Sequence, residues 1–120
     1  METTLTHTKL PRLHQACPVL ASLDFERSYQ WYSQLGFHRA HDHPLVLKRD
    51  DVTLHFRACK ESHIAATTSC RIAVHNIADW YEFCLNLQIV HPKAPLTTQP
   101  WGLQEFAVLD VDNNLLVFFS

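Results

Sequence analysis

Two helix starts, at Asp24 and Asn76, stand 52 positions apart, and each opens the same series of elements. Before each runs a short apolar strand, Ala16 to Leu23 in the first half and Ser69 to His75 in the second. After each comes an amphipathic stripe. In the first it is Phe25, Tyr29, Tyr32 and Leu35; in the second it is Ile77, Trp80, Tyr81 and Cys84, with Leu85 and Leu87. These positions recur at helical spacing, and Tyr29-Gln30-Trp31 falls in register with Tyr81-Glu82-Phe83. A duplication of about fifty residues sets the fold of the whole chain.

Asp24 is a helix N-cap residue, and the same place is assigned to Asn76. Gly36 stops the first helix where a left-handed residue is wanted. Three strands follow, Phe37 to Ala40, Leu45 to Lys48 and Val52 to Ala58, with Pro44 and Arg49-Asp50-Asp51 marking their turns. In the second half Gln88 to Val90 reads as a short strand and His91 to Pro100 as a Pro- and Thr-rich loop. Leu103 to Leu109 and Leu115 to Phe119 form a closing hairpin around Asp112-Asn113-Asn114. The expected architecture is α+β, one domain over residues 1–120 made of two βαβββ modules, about 16–58 and 69–119. A four-stranded sheet with a single helix leaves one face bare. Two modules, or two chains in a homodimer, must then pair around a cleft.

Composition narrows the function. The net charge is −2, which gives no electrostatic reason to expect nucleic acid or an anionic membrane as partner. No apolar run approaches the length needed to span a bilayer. Met1 to Leu13 lacks the apolar core of a secretory signal and reads as a loosely docked arm, so a cytoplasmic location is expected. The four cysteines form no C-x-x-C pair, and free thiols are expected over a disulfide. With only two glycines there is no phosphate-binding loop.

Several stretches resemble the glyoxalase/bleomycin-resistance group of the vicinal oxygen chelate superfamily, most closely its bleomycin-resistance branch. They are Pro18-Val19-Leu20, the run from Asp24 through Ser28, Trp31, Tyr32 and Leu35 to Gly36-Phe37, Leu54-His55-Phe56, and Cys70-Arg71-Ile72-Ala73-Val74. The most specific is Pro100-Trp101-Gly102-Leu103-Gln104-Glu105-Phe106 before the Asp110-x-Asp112-x-Asn114 turn. The resemblance implies a paired-module fold, and for its metalloenzymes a His seven residues before each cap and a Glu seven after the turn Asp. Here those positions hold Cys17, Ser69 and Val117. His55 stands at or beside the one remaining ligand position. A divalent ion needs three or four donors, so no metal and no cofactor are expected.

The resemblance then implies a metal-free binder that sequesters an aromatic or glycopeptide-type ligand in a dimer cleft. It makes Trp101 and Phe37 the candidate stacking residues, with Gly102, His55 and Glu105 beside them. Two readings of Trp101 stand, a ligand clamp and a packing plug at the dimer seam. His55 faces either the cleft or solvent, according to which side of its strand Leu54 and Phe56 take. His38, His41 and His43 form a surface cluster, with His38 and His41 on opposite faces of a regular strand. No nucleophile–base arrangement demands a catalytic reading, and Cys17 on an apolar strand is expected to be inert. The competing hypothesis is a metal-dependent lyase, dioxygenase or transferase of the same fold using ligands such as His55 and Glu105. A third is a regulatory module with a protein partner. The cationic drug implied by the resemblance favours an acidic cleft. At a net charge of −2 this chain fits it weakly, so a different aromatic ligand stays open.

Overall fold

The computed structural model describes residues 10–120; part of the N-terminal arm, residues 1–9, lies outside them. The first module runs β1 (Val19–Ser22), α1 (Phe25–Ser33), β2 (His38–His41), β3 (Val46–Arg49) and β4 (Val52–Ala58). A one-turn helix, α2 (Ser62–Ala65), leads to β5 (Ser69–Ala73), α3 (Ile77–Asn86), β6 (Thr97–Thr98), β7 (Gln104–Leu109) and β8 (Leu115–Phe119). The strand orders β1-β4-β3-β2 and β5-β8-β7-β6 are the same topology twice, which is the expected pair of βαβββ modules. In each sheet the strand before the helix pairs in parallel with the last strand of its module.

Strand alternation decides which face is covered. Leu20, Leu47, Leu54 and Phe56 point to the helix side and are buried with Tyr32 and Leu35 of the α1 region. Ile72, Phe106, Val108, Leu116 and Phe118 do the same beneath α3, where Ile77 and Cys84 close the core. Phe106 and Phe118 stack at 5.2 Å, and Trp80 stacks on Phe118 at 5.4 Å. Each such ring contributes about 2–3 kcal/mol by burial. Among the described residues no helix packs on the opposite face of either sheet, and these two faces are left open.

The closing turn ties the modules together. Asp24 caps α1 as expected, its Oδ1 accepting from Arg27 N at 3.0 Å. Asp112 Oδ2, from the β7–β8 turn, accepts from Leu23 N at 3.0 Å, and its other oxygen pairs with the Arg27 guanidinium. The Asn114 side chain completes the bare edge of β1, donating to Ala21 O at 2.7 Å and accepting from Ala21 N at 3.2 Å.

Several local expectations require correction. Asn76 precedes α3 but does not cap it as Asp24 caps α1: its backbone is left-handed at φ 53°, and its side chain makes no capping bond. Gln88 to Val90 forms only a single bridge, Val90 to Val108, because Gln88 takes a left-handed turn at φ 59°. The 91–100 loop contributes β6, two residues whose backbone pairs with Gln104 and Glu105. Pro92, Pro95 and Pro100 around it lack amide hydrogens, which hides the pairing from a sequence reading.

Candidate functional site

On the second sheet the open face is built from alternate residues of four strands. Thr97, Glu105, Phe119 and Ala73 lie in one row, with Ala107, Val117 and Arg71 in the next. Gly102 takes φ +97°, a conformation that side chains resist, and its N–H bonds Gln99 O at 2.9 Å. That turn folds Trp101 back over β7. Its Nε1 donates to Glu105 Oε2 at 3.1 Å, yet the residue remains 63 % exposed. Arg71 donates to the same Oε2 at 2.8 Å and lies over the Phe119 ring, 4.5 Å from its centroid. The Arg71 hydrogen bond, helped by that of Trp101, holds the Glu105 carboxyl below its ordinary value. The result is an exposed indole fixed by a charge-assisted bond, with a second aromatic tied in through Arg71.

The first sheet presents a different surface. With Leu54 and Phe56 on the helix side, His55 takes the open face, half-buried, in a row with Val19 and Val46. Lys48, Thr53 and His38 form a neighbouring row, and Arg57 pairs with Ala21. The expectation that His38 and His41 lie on opposite faces fails. A bulge between Arg39 and His41 shifts the register, so His38 pairs with Lys48 and His41 with Val46, two positions of one face. Beside this face, a cleft of about 450 Å³ is lined by Val19, Phe25, His43, Pro44, His55 and Arg57.

The structure places Phe37 in the core of the first module, 7 % exposed and edge-on to Tyr32 at 5.8 Å, and does not bring it beside Trp101 of the same chain. Phe119 and Arg71 hold the places around Trp101 that the sequence reading missed. The pairing of β5 with β8 would have revealed them, since Arg71 and Phe119 stand on neighbouring rows of one face. His55 and Glu105 stand on different sheets. Among the described residues no three His, Cys, Asp or Glu side chains come together in a way that would hold a metal. The donor set at the superfamily's metal position thus does not fit an ion: Cys17 accepts from Gln15 Nε2, and Val117 has no donor at all. All four cysteines are free. Among the described residues no helix is long and apolar enough to cross a membrane.

Two βαβββ modules, each a four-stranded sheet with the same strand order, are the fold this chain shares with the bleomycin-binding proteins. A bleomycin resistance protein of Geobacillus stearothermophilus is 35 % identical over 126 aligned positions, covering 88 % of this chain and 96 % of the relative. The crystal structure of a bleomycin resistance determinant encoded on transposon Tn5 superposes with a TM-score of 0.79 at 28 % identity, over 90 % of this chain and 98 % of that one. The bleomycin-binding protein of Streptomyces verticillus, solved with copper(II)-bleomycin, gives 0.77 at 26 %, over 91 % and 97 %. No family model matches the chain. The chain belongs to the bleomycin resistance protein family.

Proposed function

We propose that this chain sequesters an aromatic or glycopeptide-type ligand, as a cytoplasmic homodimer, without making or breaking a bond in it. The observation that carries this reading is the Trp101 platform. The indole is held in place by the bond from its Nε1 to Glu105, while its ring is left 63 % exposed and free to stack. Such a preorganised surface binds flat rings with little ordering cost. The unclothed faces of both sheets supply the walls, and a second copy placed against them would turn a surface into a cleft. The relatives' ability to bind bleomycin supports the ligand type.

Titrating bleomycin and a panel of planar aromatic molecules while following tryptophan emission tests the reading. Saturable quenching, abolished in Trp101→Ala but retained in Trp31→Phe, is expected. A flat titration with every member of the panel would sink the proposal. Sedimentation of the free protein checks the dimer.

A further inference from the structure

The two open faces differ in charge in a way that a cationic ligand does not explain. The open face of the first sheet carries Lys48 and Arg57 with His38, His41 and His55, and no carboxylate stands in any of its rows. Among the described residues no acid pairs with Lys48 or Arg57. On the second sheet the only acid of the open face, Glu105, is already matched by Arg71 at 2.8 Å. Summed over both faces, two positive charges are left uncompensated.

One of them, Arg57, borders the 450 Å³ cleft at the end of β4. The remaining walls are suited to a ring. Phe25 and His43 lie 6.2 Å apart at 36°, with Pro44 and Val19 beside them, and Val19 is 56 % exposed. The cleft thus joins aromatic and aliphatic walls to an arginine, Arg57, among its lining residues. A guanidinium offers a planar fork of donors that matches a carboxylate, and a cleft of this size accommodates a two-ring body.

We propose that this cleft is a subsite for an organic anion, an aromatic acid whose ring lies against Phe25, His43 and Pro44 and whose carboxylate or sulfonate meets Arg57. The inference rests on the ligand-sequestering reading above and names the chemistry of one end of the ligand. It opposes a purely cationic ligand on the first sheet, because Lys48, Arg57 and any ammonium group would repel one another.

Calorimetric titration with three probes of one shape tests it: 2-naphthoate, 2-naphthamide and 2-naphthylmethylammonium. Naphthoate is expected to bind one per chain and at least about 10-fold more tightly than the ammonium. Arg57→Gln is expected to weaken naphthoate by roughly 10-fold and leave the amide unchanged, with Arg57→Lys recovering part of the loss. Equal binding of the three probes, or unchanged naphthoate binding in Arg57→Gln, would overturn the subsite. The bleomycin titration of Trp101→Ala reports separately on the Trp101 platform, so failure of the subsite and failure of the platform are read from different proteins.

Discussion

The Tyr32 hydroxyl donates to Asp110 Oδ2 at 2.6 Å, joining the first module's helix to the second module's closing turn inside the core. Tyr32 is completely buried and Asp110 only 4 % exposed. Burial pushes the Asp110 carboxyl up, and the donors around it oppose this. Its Oδ1 accepts from Asp112 N and Asn114 N, both at 2.9 Å, and its Oδ2 from Asn114 Nδ2 at 2.8 Å besides Tyr32. Every lone-pair direction of the carboxylate is used. The same burial, together with Asp110, raises the Tyr32 phenol well above its usual range, so the hydroxyl remains a donor.

Removing one donor differs from removing the acceptor. Tyr32→Phe leaves three of the four bonds and is expected to lower stability by about 1–2 kcal/mol. Asp110→Asn turns an NH2 group toward donors and is expected to cost more, about 3 kcal/mol. Guanidinium denaturation of the two variants checks the order. A milder Asp110→Asn would show that the turn does not depend on its anion.

Asn114 acts as a surrogate strand for β1. Its amide makes the two bonds to Ala21 that a neighbouring strand would make, across 93 positions of sequence. Asn114→Ala leaves a buried backbone N–H and C=O without partners and is expected to cost about 2–3 kcal/mol. Asn114→Asp keeps the acceptor but loses the donor, and is expected to be no better because it sets a second anion beside Asp110. Equal stability of wild type and Asn114→Ala by denaturation would contradict this account.

These contacts show why the sequence was readable in part. The modules, the helix stripes and the Gly36 stop are local patterns, visible through spacing alone. Asp110 was readable as a turn residue because turn chemistry is local, but its bond to Tyr32 reaches across the fold. The burial of Phe37 was hidden for a related reason. Phe37 follows the helix stop, and only the register of β2 against β3 turns its ring toward Tyr32 instead of the open face. Trp101 and Glu105 stand four apart on one loop and strand, so spacing alone brings them near each other. Arg71 and Phe119 come to them through strand pairing, which spacing does not reveal.

The Trp101 platform carries a pH signature. Glu105 has its pKa depressed below the ordinary 4.5, first by Arg71 and then by Trp101. A depressed acid favours the folded arrangement above its unfolded value, and that contribution is lost as pH falls through the lower folded value. In a Trp31→Phe, Trp80→Phe protein, Trp101 emission is expected to stay flat from pH 8 to 5 and to change only below 4.5. A transition centred above 4.5 would show that Glu105 is not held by Arg71.

The two glycines are expected to differ in tolerance. Gly36, at φ +88°, would place an added Cβ 3.2 Å from Arg49 Cδ. Arg49 cannot easily yield, since it donates to Leu35 O at 2.7 Å and lies over Trp80. Gly102, at φ +97°, has nothing within 4 Å of an added Cβ. Gly102→Ala therefore meets backbone strain alone, about 1 kcal/mol, and Gly36→Ala meets strain plus crowding, about 2 kcal/mol or more. Thermal or denaturant unfolding of the pair reads the difference, and a reversed order would show that Arg49 moves freely.

The four thiols are expected to separate by reactivity. Cys84, on the inner face of α3, is fully buried, and burial pushes its thiol up to about 12. At pH 8 only roughly one part in ten thousand is thiolate, the form that reacts. Cys70 is half-buried with its thiol also raised by burial, while Cys17 and Cys59 are half-buried outside the cores. Iodoacetamide at pH 8 is expected to label Cys17 and Cys59 first, Cys70 more slowly, and Cys84 only when denaturant opens the core. Peptide mass mapping over time gives that order directly. Early labelling of Cys84 would mean that α3 opens from the second sheet far more readily than the Trp80–Phe118 stack and the Phe106 contacts allow.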